Sequence, residues 1–90
     1  MDWTIKIKKT AEKQITRLEK RVQKRIVNFL KERLLKSDDP RRQGKKLTGN
    51  KGDLWRYRVG DYRLICKLKD NELIILLLAV GHRKNIYKKI

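Results

Sequence analysis

The amino-acid sequence predicts an α+β fold in which a small, antiparallel-rich sheet packs on helix. Three observations carry that expectation. From Ala11 to Lys36 there is no glycine or proline, and apolar residues recur every three or four positions, the stripe of an amphipathic helix. From Leu54 to Leu64 the string L-W-R-Y-R-V-G-D-Y-R-L keeps a period of two on both sides of a glycine-aspartate pair, as a β-hairpin does. Leu73 to Val80 is apolar on both faces, which suits a strand in the interior of a sheet.

Each element follows from local chemistry. Trp3, Ile5 and Ile7 alternate with Thr4, Lys6 and Lys8, giving a first strand with one apolar and one basic face. Thr10 is placed to cap the helix that follows, whose apolar stripe is Ile15, Leu18, Val22, Ile26, Phe29, Leu30 and Leu34. On the other side Lys9, Lys13, Arg17, Arg21 and Arg25 are spaced by four, as are Lys20 and Lys24. Like charges at that spacing destabilise an isolated helix by a few tenths of a kcal/mol per pair. A solvated face and a second contact with a polyanion both fit that ladder. Ser37-Asp38-Asp39-Pro40 ends the helix, because the residue before proline leaves the helical region and the acidic pair favours a turn. Arg41 to Gly52 then reads as a basic, glycine-punctuated loop whose Lys45, Lys46 and Lys51 suit a phosphate backbone.

In the hairpin, Trp55, Tyr57 and Val59 share a face that reads as core, while Arg56 and Arg58 stand together on the other. Gly60-Asp61 makes the tight link, and Tyr62 and Arg63 begin the return arm. Planar guanidinium groups held on a ribbon match phosphate oxygens. A third strand runs through Tyr62, Leu64, Cys66 and Leu68 to a turn at Asp70-Asn71. The fourth, Leu73 to Val80, opens into Gly81-His82-Arg83-Lys84-Asn85-Ile86-Tyr87 and a short basic tail.

The totals bound the function. Residues 1–90 are expected to form a single domain. Lysine and arginine number 26 against 10 acids, a net charge of +16, and that self-repulsion points to an anionic partner. Periodic apolar residues argue for a folded domain rather than a disordered basic tail. The lone Cys66 offers no disulfide and reads as a buried, reduced thiol, which suits a cytoplasmic location. The longest apolar run is far too short to cross a bilayer, so no membrane association is expected. One histidine, one cysteine and scattered acids make a zinc or two-metal centre improbable, so no cofactor is expected and any catalysis is metal-free. RNA offers such a route: its 2′-hydroxyl attacks the adjacent phosphate, cations stabilise the phosphorane, and an acid protonates the leaving 5′-oxygen.

The element order, the string K-L-T-G followed by the hairpin sequence, and the ending V-G-H-R-K-N-I-Y-K resemble the RelE/ParE toxin superfamily, specifically its RelE-type ribosome-dependent mRNA interferases. The resemblance covers essentially the whole chain. It implies a type II toxin that cleaves mRNA in the ribosomal A site, is a monomer when free, and forms a hetero-oligomer with a RelB-like antitoxin. It also implies a β-α-α-β-β-β order, with the helical run broken near Leu18 to Arg21 into two antiparallel helices. Carried over by position, Arg63 and Arg83 match the family's paired phosphate-facing arginines, and Tyr87 matches the C-terminal tyrosine that stacks on or orients the substrate base. Arg56 and Arg58 stand where several members have lysines, one of them proposed as the general base. An arginine is practically never neutral near pH 7, so Arg58 is a poor base and His82 is the natural substitute. Arg56 joins Arg63, Arg83, Tyr87 and His82 as the expected catalytic set; Arg58, Lys45, Lys46, Lys51 and Lys84 are the expected RNA-binding residues. Two alternatives stay open: a ParE-like toxin that inhibits DNA gyrase by protein binding, and a catalytically silent RNA-binding relative. The ending G-H-R-x-x-I-Y and the Tyr62-Arg63 pair favour the interferase.

Overall fold

In the computed structural model the residues described are 3–47 and 54–82. Strand β1 (Thr4–Ile7) leads into helices α1 (Lys9–Thr16) and α2 (Lys20–Asn28), and strands β2 (Lys45–Lys46), β3 (Leu54–Val59), β4 (Tyr62–Lys69) and β5 (Ile74–His82) follow. The sheet order is β1-β5-β4-β3-β2. The β1–β5 pair is parallel and the other three pairs are antiparallel, so the expected antiparallel-rich α+β sheet is present and β5 lies in its interior.

The helical run does break, at Arg17-Leu18-Glu19, although no glycine or proline stands there. Arg17 and Leu18 close α1 by donating their N–H groups to the Gln14 and Ile15 carbonyls. Leu18 packs against the core, and Gln23 Nε2 donates to the Leu18 carbonyl oxygen at 2.8 Å, which holds the turn from the next helix. The lysine and arginine ladder is therefore split between two helices. Thr10 does not cap α1: Lys8 is the capping residue, and Thr10, already helical, donates through Oγ1 to the Leu78 carbonyl oxygen at 3.3 Å, tying α1 to β5. α2 continues as a π-helical turn, Phe29–Leu34, in which the Leu35 N–H reaches back five residues to the Leu30 carbonyl.

The segment read as a loop from Arg41 onward is in part ordered structure. Pro40–Gln43 is a 3₁₀ turn capped by the Asp39 carboxylate, which accepts the Arg41 N–H at 3.1 Å. Lys45 and Lys46 then pair with Arg56 and Trp55 of β3. The segment before this pair is tied to β3 by the buried Tyr57 hydroxyl, which donates to the Pro40 carbonyl oxygen at 3.0 Å. Leu73 lies in the turn before β5 rather than in the strand, with a left-handed φ of 53°.

Strand alternation sends two sets of residues to opposite sides. Tyr57, Leu64, Cys66, Leu68, Ile75, Leu77 and Val80 meet Ala11, Ile15, Ile26, Leu30 and Leu34 in the main core. Leu18, Val22, Phe29 and Trp55 pack at its margin, so the helical stripe faces the sheet. On the far side Ile65 and Ala79 form a small apolar cluster with Leu47. Gly60 takes φ 60° and Asp61 a negative φ, a pattern that fits the type II′ link with glycine at its first corner. Because only two residues separate the arms, Arg58 is placed directly opposite Arg63.

Candidate functional site

The face of the sheet away from the helices carries the site. Arg58 pairs with Arg63, Arg56 with Ile65, and Lys45 with Arg56, and directly opposed residues share a face. Lys45, Arg56, Arg58 and Arg63 line an open cleft of about 330 Å³ together with Arg42, Gln43, Gly44 and Tyr57. Among the described residues that line it, five of eight are cationic and none is acidic, which favours an anion there. Arg63 Nη1 is shielded from solvent and has no hydrogen-bond partner among the described residues. A buried guanidinium donor left unpaired costs free energy that an anionic ligand recovers.

Two carboxylates are committed elsewhere. Asp39 and Asp70 both pair with Arg41, whose guanidinium also lies 5.7 Å from the Trp55 ring centroid. The bond from Asp70 holds the Arg41 pKa above its ordinary value. Arg41 is thereby a structural cation, while its neighbour Arg42 lines the cleft.

Of the residues expected from sequence, Arg56, Arg58, Arg63 and Lys45 are brought together. Lys46 is opposite Trp55 and faces the other way. His82 is exposed at the end of β5, opposite Tyr62, and its ring meets the Tyr62 ring edge-on at 5.9 Å. The residue opposite Arg63 is Gly81, so alternation puts His82 on the helix side and away from the arginines. Lys51, Arg83, Lys84 and Tyr87 lie outside the described residues. Arg42, Gln43 and Gly44 enter the cleft without having been anticipated as site residues. Their only sequence signal was a basic, glycine-containing segment beside the hairpin, and their placement depends on the Tyr57–Pro40 hydrogen bond.

The fold is a small α+β domain whose sheet presents a cleft lined, among the described residues, by five cations and no acid. Residues 5–87 match the family model described as the ParE toxin of the type II toxin-antitoxin system parDE, and the chain belongs to that family. It is 30% identical to Toxin RelG of Mycobacterium tuberculosis over 89 residues, which cover 99% of this chain and all of that protein. Its fold is similar to that in the RelBE2 toxin-antitoxin complex from Mycobacterium tuberculosis, at 29% identity and a TM-score of 0.81 over 92% of this chain and 93% of the other. It is also similar to the archaeal RelE–RelB complex from Pyrococcus horikoshii, at 32% identity and a TM-score of 0.73 over 92% and 97%. No helix among the described residues is long and apolar enough to cross a membrane.

Proposed function

We propose that the ninety residues act as one RelE-like toxin domain, a ribosome-dependent mRNA endonuclease of the cytoplasm that a cognate RelB-like antitoxin holds inactive. The observation that carries this reading is the cleft lined, among the described residues, by Arg42, Lys45, Arg56, Arg58 and Arg63 and by no acid, with Arg63 Nη1 shielded and without a hydrogen-bond partner among those residues. Such a cleft suits a transition state that gains negative charge on phosphate oxygens. In the reaction, the ribose 2′-oxygen forms a bond to the adjacent phosphorus and loses its proton to a base. The bond from phosphorus to the 5′-oxygen breaks, and that oxygen takes up a proton. The products are a 2′,3′-cyclic phosphate and a 5′-hydroxyl. Arg63 and Arg56 stabilise the phosphorane, with Arg83 as the second member of the expected pair, while Arg58 and Lys45 hold flanking phosphates. His82, on the opposite face, is withdrawn as the favoured base, and Tyr87 remains the candidate for orienting the base of the nucleotide.

Programmed ribosomes supply the test. mRNA should be cut after ribosome assembly even in excess chelator and should end in a cyclic phosphate. Arg63→Ala should slow single-turnover cleavage about a hundredfold, the scale for loss of one preorganised donor. Products carrying a 5′-phosphate, or an Arg63→Ala rate near wild type, would remove this mechanism. The second reading is inhibition of DNA gyrase, favoured by the parDE description of the matching family. A supercoiling assay inhibited at the toxin concentration that leaves mRNA intact would select it.

A further inference from the structure

Arg58 belongs to two clefts at once. It lines the sheet-face cleft with Arg56 and Arg63, and beyond the hairpin end it lines a second depression of about 390 Å³ with Arg25, Arg33 and Gly60. Its Nε donates to the Gly60 carbonyl oxygen at 3.3 Å, which draws the guanidinium over the turn. Arg25 approaches the same turn from α2. A Cβ at Gly60 would stand 3.2 Å from Arg25 Nη1 and 3.4 Å from Cζ and Nη2, so this guanidinium lies against the bare backbone of the glycine. The carboxylate in the second depression, Glu32, is already paired with Lys36, which holds its pKa below the usual value. Arg25, Arg33 and Arg58 make no ion pair among the described residues.

Three guanidinium groups that make no ion pair among the described residues thus run from the sheet face, past the hairpin end with its exposed Asp61, to the helices. We propose that the hairpin end is a saddle crossed by a single RNA strand, with Arg58 at the crest and Arg25 and Arg33 holding phosphates on the helix side. This rests on the RNA-binding reading of the sheet-face cleft and adds a second subsite to it. A flexible chain of phosphates fits both sides of the turn, because each guanidinium offers a planar fork to one phosphate. An acidic peptide would want an exposed apolar anchor at the centre of its interface. The exposed large apolar residues among those described are Ile7 and Val27, which line a different groove beside β1.

The test uses the full chain, a trinucleotide that fills the sheet-face cleft, and a nonanucleotide that can also cross the saddle. Affinity is measured against salt, and the arginine Nε–Hε resonances are followed on titration. For the nonanucleotide, Arg25→Gln with Arg33→Gln should lower the slope of log affinity on log salt by about 1.4, two contacts at 0.7 each. Over a fourfold change in salt that amounts to about a sevenfold smaller loss of affinity. Trinucleotide binding should not change, and the Arg25 and Arg33 signals of the wild type should move only with the longer strand. Should the double variant bind the nonanucleotide as the wild type does, the saddle is overturned while the cleft stands. Should wild-type trinucleotide binding be indifferent to Arg63→Ala, the cleft reading falls, and the saddle falls with it. A polyglutamate peptide that shifts the Arg25 and Arg33 signals at equal affinity would overturn the assignment to RNA. Thermal melts report whether the double variant folds; if it does not, the exposed Arg33→Gln alone should give half the change in slope, and an unchanged slope would overturn the saddle.

Discussion

Replacing Gly44 with alanine should cost more than any other one-carbon change near the cleft. The glycine has φ −142° and ψ −168°, an extended conformation open to every residue, so the cost is purely one of space. A Cβ there would lie 2.6 Å from Tyr57 Cε1 and 2.7 Å from Cδ1, and closer still to the Arg56 carbonyl oxygen. Neither neighbour can retreat: the carbonyl belongs to β3, and the Tyr57 ring is buried, bonded to the Pro40 carbonyl and backed by the Phe29 ring at 5.8 Å. Overpacking costs about 1–3 kcal/mol, and two rigid obstacles place this case at about 2–3 kcal/mol. In a domain of this size that lowers the melting temperature by roughly 10–20 °C. Because Gly44 lines the cleft, the shift that relieves the clash also moves Arg42 and Lys45 away from β3, so the folded fraction should bind RNA several-fold more weakly. Gly60→Ala is the comparison: its left-handed φ costs about 1–2 kcal/mol, but the group it meets is the flexible tip of Arg25. A Gly44→Ala melt within about 2 °C of wild type, or above that of Gly60→Ala, would refute the close-approach argument.

Burial raises the pKa values of Cys66 and Tyr57 in the folded state, so both stay protonated where the unfolded chain ionises. Their contribution is complete below the unfolded pKa of about 8.5 for the thiol and is lost as pH rises, at about 1.4 kcal/mol per pH unit for each ionising group. Cys66→Ala should therefore flatten the fall in denaturant stability between pH 9 and 10, and an unchanged slope would contradict the burial of the thiol. His82→Gln should leave the pH–rate profile of cleavage intact, since His82 lies on the opposite face of the sheet from Arg63; loss of a limb of the profile would restore it as the base. Arg41→Ala should lower the melting temperature by roughly 4–8 °C, for about 1 kcal/mol of paired charge and ring contact, with little effect on RNA binding once folded. Arg42→Ala should reverse that pattern, and equal effects of the two on both assays would erase the distinction between structural and cleft arginines.

The hairpin was legible because its causes are local. Period-two alternation gave its two faces, and a two-residue link fixes register, so the facing of Arg58 and Arg63 follows from Gly60-Asp61 alone. The same register also decides where His82 points, through the pairing of Arg63 with Gly81. Adjacency of His82 to Arg83 in the chain concealed that consequence. The helix break was not legible from the residues, because Leu18 and Gln23 impose it through packing and a side-chain bond rather than through a breaker. Family resemblance supplied it. The parallel pairing of β1 with β5 is non-local, and the strand at Lys45-Lys46 has only two residues, too few to show a period.

Charge placement links fold to site more closely than charge number does. A net charge of +16 by itself says only that an anion is wanted somewhere. Among the described residues, the carboxylates in ion pairs are Glu19 with Arg21, Glu32 with Lys36, and Asp39 and Asp70 with Arg41. Each pair lies at a helix end, along a helix, or where the 3₁₀ turn meets the β4–β5 turn, and none lies on the sheet face that carries Arg56, Arg58 and Arg63. These four acids thus hold elements in place where their cations are structural. Backbone register places Arg58 directly opposite Arg63, and neither of these two makes an ion pair among the described residues.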